Sequence, residues 1–180
     1  MIGNPCGLSM NLPHFLLDCL HNLEPDAEFT GTLPKIRSSS GKIYFCKFGQ
    51  PRDEEQYVGE AESLKAIQIA APGLAPSVLR SGVNDSQPYF ISEYKELGNL
   101  TEQTSITLAK RLATELHAYK SLKGFGFAVP TYCGATHLKN GWFESWDKCY
   151  SAMITDLLSQ LRKRGDYTDL CNKGDAVIKE

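Results

Sequence analysis

A lysine and two glutamates carry the chemistry most easily imagined for this chain. Lys47 sits near the end of the strand-like run IYFCKF, residues 43–48, and Glu60 and Glu62 lie in the helix-like stretch that follows. Side chains alternate across a strand, so Ile43, Phe45 and Lys47 share one face and Tyr44, Cys46 and Phe48 the other. An ammonium in line with Ile43 and Phe45 can reach phosphate oxygens, and a carboxylate on the next helix can hold it in place. After two further strands comes ISEYKEL, residues 91–97, a backbone segment that could take the edge of a base. A plainer reading of the same residues also stands. Strand lysines snorkel or lie on solvated edges, and glutamates gather early in helices because of the helix dipole.

The elements that must position these groups can be read from periodicity. NLPHFLLDCLHNL, 11–23, predicts an amphipathic helix, with Leu12, Phe15, Leu16, Cys19, Leu20 and Leu23 at helical spacing. Antiparallel strands are predicted at 27–32, 35–38 and 42–48, with the turn-rich SSSG before the third. Pro51 and the acidic Asp53, Glu54 and Glu55 open the strongest helix, which Pro72-Gly73 stops. Its apolar stripe is Val58, Ala61, Leu64 and Ile67. Strands at 77–83 and 88–94 flank the turn NDSQ. A second long helix is predicted over 102–120, burying Ile106, Leu108, Ala109, Leu112 and Leu116. Residues 122–141 read as irregular, 142–164 as a final helix, and the rest as a polar turn and tail. The class is α+β, a small antiparallel sheet with helices. The division expected is 1–95 as a small lobe with a leading helix and 96–180 as a partial helical lobe.

Composition narrows the partners. The 180 residues are 42% hydrophobic and 22% charged, as in an ordinary globular chain. A formal charge of −2 provides no basic field, so neither nucleic acid nor an acidic membrane surface is expected as a partner. No apolar run approaches the roughly 18 residues of a membrane span. The six cysteines lack C-x-x-C spacing and the four histidines do not cluster with them, which argues against a zinc site. Cys19, Cys46 and Cys149 are expected as small core residues, and scattered thiols without a visible leader peptide suggest a cytoplasmic location.

Four stretches carry a resemblance: GEAESLKAI (59–67), ATELHAYKS (113–121), GFGFAVPTYCG (124–134) and NGWFESWDKCY (140–150). Together with YFCKFG they resemble the fructosamine/ketosamine-3-kinase family, which includes protein-ribulosamine 3-kinases and has a protein-kinase-like fold. The similarity runs over roughly residues 12–175 and covers about the first half of the family's usual length. It implies a small lobe of antiparallel sheet plus one helix, followed by the first helices of a large lobe. It implies ATP, with Mg, as cofactor, and a glycated protein or small ketosamine as substrate, phosphorylated on the sugar 3-hydroxyl so that the adduct leaves the lysine. Residue by residue, Lys47 matches the phosphate-binding lysine and Glu60 its helix partner, better than Glu62 does. Glu93, Tyr94 and Lys95 match the hinge that binds ATP through its backbone.

The same resemblance defines what is missing. The family's catalytic loop reads H-G-D-L-W-x-G-N and a later D-P-A carries a metal-binding Asp. Neither motif occurs in the 180 residues. RGDYTDL, 164–170, mimics HGDL only superficially and reads as the turn closing the last helix. No catalytic residue and no metal ligand are therefore assigned, and little or no kinase activity is expected of this chain. The phosphate-covering loop is degenerate, with Gly31 and Gly41 but no G-x-G-x-x-G. The competing expectation is a non-catalytic nucleotide- or partner-binding pseudokinase remnant, or a gene-model fragment. Apolar surface left uncovered would favour self-association. Three further groups read as structural first: Trp142 and Trp146, placed i, i+4 on the last helix and more simply core aromatics than substrate contacts; His117; and the basic turn LRKR at 161–164, which suits a helix C-terminus.

Overall fold

The computed structural model describes residues 12–165 and 167–179. Helix α1 (His14–Leu23) leads into strands β1 (Phe29–Thr32), β2 (Lys35–Ser38) and β3 (Ile43–Phe48). A 3-10 turn, Pro51–Asp53, opens helix α2 (Glu54–Ala70), and β4 (Val78–Asn84) and β5 (Gln87–Glu93) follow. The five strands form one antiparallel sheet in the order β1-β2-β3-β5-β4. The α+β class and the sheet-plus-helix order match the sequence expectation, with strand boundaries moved by one or two residues.

Local chemistry explains these elements. The Asp53 carboxylate accepts the Gln50 backbone N–H at 2.8 Å, closing a capping box, and Pro51 occupies the first turn where no N–H is required. Asp85 and Ser86 both have positive φ, 46° and 65°, the signature of a two-residue type I′ turn between β4 and β5. At its far end α2 is tied down by Gln68, whose amide donates to Ala75 O at 2.6 Å and accepts from Gly73 N.

The sheet has two different faces. Ile36, Tyr44, Cys46 and Ile91 turn toward α1 and meet Leu16, Leu20 and Phe29 in the main core. Leu16 and Leu20 are fully buried, and each such leucine contributes about 1.5–3 kcal/mol. Lys42 and the Ser38 and Ser40 hydroxyls hold the Glu24 carboxyl, just past α1, down at about 2. Cross-strand pairing sets Lys35, Phe45 and Ser92 in one row of the opposite face, with Lys47 beside Phe90 in the next. Helix α2 packs on this second face.

The second half departs from expectation. Helix α3 (Glu102–Arg111) starts on a reciprocal Thr101–Thr104 cap, then relaxes into a π turn at Leu112–Leu116 and stops short of 120. Its expected buried face is not buried: Ile106 is 56% exposed and Leu108 39%. The region read as irregular contains four short strands, β6 (Phe125–Phe127), β7 (Thr131–Cys133), β8 (Thr136–Leu138) and β9 (Gly141–Phe143). They pair as two hairpin-like ribbons, β6 with β9 and β7 with β8. Three residues are too short for periodicity to register, which is why they read as loop. Trp142 lies in β9 and not on the helix expected over 142–164, which starts at Trp146: α4 spans Trp146–Arg164. Gly165, with φ 87°, ends it in the left-handed conformation that a glycine adopts without steric cost. In place of a tail, α5 (Thr168–Lys179) folds back on α4 and buries Cys171 near Leu158. The Asp of RGD, residue 166, falls outside the described residues, as does Cys6.

Candidate functional site

Lys47 reaches across from β3 to α2 and forms an ion pair with Glu60. Its ammonium also lies 4.5 Å from the centre of the Tyr57 ring and 5.5 Å from that of Phe90. A cation is favoured over the electron-rich face of an aromatic ring, so Tyr57 and Glu60 grip it from one helix, three residues apart. Burial pushes the Tyr57 hydroxyl pKa up, with Asp53 and Glu60 adding to the shift. The pair is only partly covered, with Lys47 28% and Glu60 38% exposed at the side chain. The ammonium is thus oriented by protein and still open to a ligand. Glu62 points elsewhere and pairs with Lys65 at 2.7 Å.

The other three expected residues are arranged differently. Glu93 pairs cross-strand with Tyr44, which places its side chain on the α1 side of the sheet, away from Lys47. There it accepts from Lys95 Nζ at 2.6 Å, and Lys95 with the Ser77 backbone holds the carboxyl below its usual range. The backbone N–H groups of Glu93 and Tyr94 donate to Ser77 O (3.0 Å) and Ile43 O (3.2 Å). Of the three, Lys95 alone keeps a backbone N–H without a partner among the described residues. A cleft of about 630 Å³ opens at the end of the sheet, lined by Tyr44 and Glu93 of the α1 face together with Ile43, Tyr94, Ser77 and Leu79. It shares no wall with the Lys47–Glu60 pair.

Helix α2 is itself gripped from the second half of the chain. Gly59 packs directly under Pro130, where a Cβ would stand 2.5 Å from the Pro130 carbonyl oxygen. One turn earlier, Glu55 accepts from Tyr132 Oη at 2.5 Å and sits 3.1 Å from His137 Nε2. Tyr132 and His137 are cross-strand partners in the β7–β8 ribbon, and the bond to Glu55 raises the Tyr132 pKa. Tyr57 and this clamp escaped the sequence reading. The spacing of Tyr57 from Glu60 was a usable signal. The clamp joins residues 77 positions apart and left none.

Comparison with known proteins gives the family. Residues 31–180 match the fructosamine kinase family model. The chain belongs to the fructosamine kinase family. It is 24% identical over 128 residues to a Synechocystis sp. protein assigned as a ketoamine kinase, covering 70% of this chain and 43% of that protein. It is 27% identical over 139 residues to the chloroplastic protein-ribulosamine 3-kinase of Arabidopsis thaliana, covering 76% and 42%. The solved structure of a Haemophilus somnus 129PT protein assigned as a fructosamine-3-kinase superposes with a TM-score of 0.61 at 19% identity. That match covers 86% of this chain and 55% of the other. The chain thus spans less than half the length of the two curated relatives it matches.

The Lys47 ammonium suits nucleotide phosphates, and the free Lys95 N–H suits the edge of a base. Among the described residues no group of three or more His, Cys, Asp or Glu side chains is placed to hold a metal ion. No helix of the described residues is long and apolar enough to cross a membrane.

Proposed function

We propose that this member of the fructosamine kinase family binds Mg-ATP on the Lys47 face of its sheet. The Lys47–Glu60 ion pair supports the reading most directly, because a strand lysine fixed by a helix glutamate presents one charge at a defined point. Lys47 would contact the phosphates, and Glu60 and Tyr57 would hold its ammonium. The backbone of residues 93–95 would border the base, with Lys95 N–H as its donor. Magnesium would arrive with the nucleotide, neutralising phosphate charge from the side of the ligand.

The chemistry of the whole family fold would be ATP-dependent phosphorylation of the 3-hydroxyl of a ketosamine on a protein lysine or small amine, which leads to deglycation. That transfer needs a carboxylate to orient the sugar hydroxyl and side chains to hold metal. The 180 residues contain no H-G-D-L-W-x-G-N from which to draw them. The expected behaviour of this chain is nucleotide binding with little or no phosphoryl transfer. A thermal shift with Mg-ATP tests the first part, since a ligand that binds only the folded state raises Tm. The shift should be present in the parent chain, reduced in Glu60→Gln and lost in Lys47→Ala. Equal shifts in all three chains would rule out the Lys47 face. Phosphorylation of a ribulosamine by the purified chain would overturn the second part.

A further inference from the structure

We propose, resting on the nucleotide reading above, that Lys35 is an autoinhibitory strap whose side chain closes the base end of the cleft until a nucleotide displaces it. Ile36 is fully buried under α1, so its neighbour Lys35 projects from the opposite face, the one that carries Lys47. On that face Lys35, Phe45 and Ser92 stand in one cross-strand row. The Lys35 ammonium nevertheless ends at the segment after β5: 2.9 Å from Glu96 Oε2 and 4.3 Å from the centre of the Tyr94 ring. β3 lies between β2 and β5 in the sheet. The side chains of Lys35, Tyr94 and Glu96 therefore meet across β3, over the surface a base would cover. They meet beside Lys95, whose backbone N–H has no partner among the described residues.

The strap is built to open. The Glu96 side chain is 76% exposed and that of Lys35 29% exposed, so water competes for the pair. An exposed ion pair holds two segments only weakly. A ligand that needs the open form binds with an apparent affinity reduced by the closed fraction. The hydrogen bond to Glu96 raises the pKa of Lys35, an ammonium already charged at neutral pH.

Glu96→Gln removes one charge of the pair at an exposed position and leaves Lys47, Glu60 and Lys95 in place. Isothermal titration with Mg-ATP should show binding about two- to five-fold tighter than in the parent chain. Hydrogen exchange without nucleotide should be faster at the amides of residues 35–37. Unchanged or weaker binding in Glu96→Gln, or unchanged exchange, overturns the strap while the nucleotide reading stands. Mg-ATP binding to neither chain overturns the nucleotide reading and the strap with it.

Discussion

Single side chains in this protein are set by what surrounds them, and two of them lend themselves to measurement. Burial pushes the Cys46 thiol up to about 12, so almost none of it is thiolate at neutral pH. Cys133 is exposed. Among the described cysteines, brief alkylation followed by mass spectrometry should label Cys133 first and leave Cys46, Cys149 and Cys171 unmodified until the protein unfolds. Early labelling of Cys46 would contradict the core described here. Glu24 behaves in the opposite sense. Its carboxyl is lowered from an ordinary 4.5 to about 2 by Lys42, Ser38 and Ser40. A lowered carboxyl pKa stabilises the fold above the unfolded value, and that contribution drains away as pH falls through the folded value. Tm should therefore decline between pH 4.5 and 2 partly through Glu24, and Glu24→Gln should show a shallower decline over that window. The Lys47 ammonium belongs to the same scale. Its line with Ile43 and Phe45 was visible in the sequence, because alternation along a strand is rigid. The Tyr57 ring beneath it stands one helical turn before Glu60, a spacing the sequence already contains.

Among the elements, α2 decides the geometry, because it carries Tyr57 and Glu60 and is held on two sides. Gly59 is the closest point of its contact with the second half. Alanine is ordinarily better than glycine inside a helix, by about 0.8–1 kcal/mol. Here the added Cβ would stand 2.5 Å from the Pro130 carbonyl oxygen, a backbone atom that cannot swing aside. Overpacking of this kind costs about 1–3 kcal/mol. Gly59→Ala should thus be destabilising in a urea titration despite the gain in propensity. Gly98→Ala, with nothing within 4 Å of its added carbon, should be close to neutral. This scale also shows what the sequence made legible. The helices 14–23 and 54–70 and all five strands of the sheet follow from apolar period, turn residues and caps. The expected stripe of α2 is looser than its pattern, since Val58 is 42% exposed and the tight contact is made by Gly59. The ribbons of residues 125–143 are defined by pairing with distant partners, and Trp142 was drawn into a helix because its spacing from Trp146 imitates a helical turn. That Glu93 N–H and Tyr94 N–H are already paired, to Ser77 O and Ile43 O, was not legible for a similar reason, since that pairing is tertiary.

For the whole molecule, burial is unevenly divided. The sheet and α1 bury Leu16, Leu20, Ile36, Tyr44, Cys46, Phe90 and Ile91, whereas beyond residue 95 the buried apolar side chains among the described residues are Cys149, Leu158 and Cys171. Segments with few buried contacts open at lower free energy than well-packed ones. The join between the halves includes Gly59 under Pro130, the Glu55–Tyr132–His137 clamp, and Arg111 donating to Pro72 O at 2.8 Å. The second half should therefore melt before the sheet. Both tryptophans, Trp142 and Trp146, lie in the second half, and Cys46 lies in the core of the first. In a guanidinium titration, tryptophan fluorescence should change at a lower midpoint than the loss of Cys46 protection from alkylation. Leu20→Ala separates the two further. Removing a fully buried leucine costs about 2–5 kcal/mol, and its contacts lie on the α1 side of the sheet. It should lower the Cys46 midpoint and leave the tryptophan midpoint nearly unchanged. Coincident midpoints, shifted together by Leu20→Ala, would mean that the α2 join transmits folding fully across the chain. The Lys47–Glu60 pair would then owe its geometry to both halves at once.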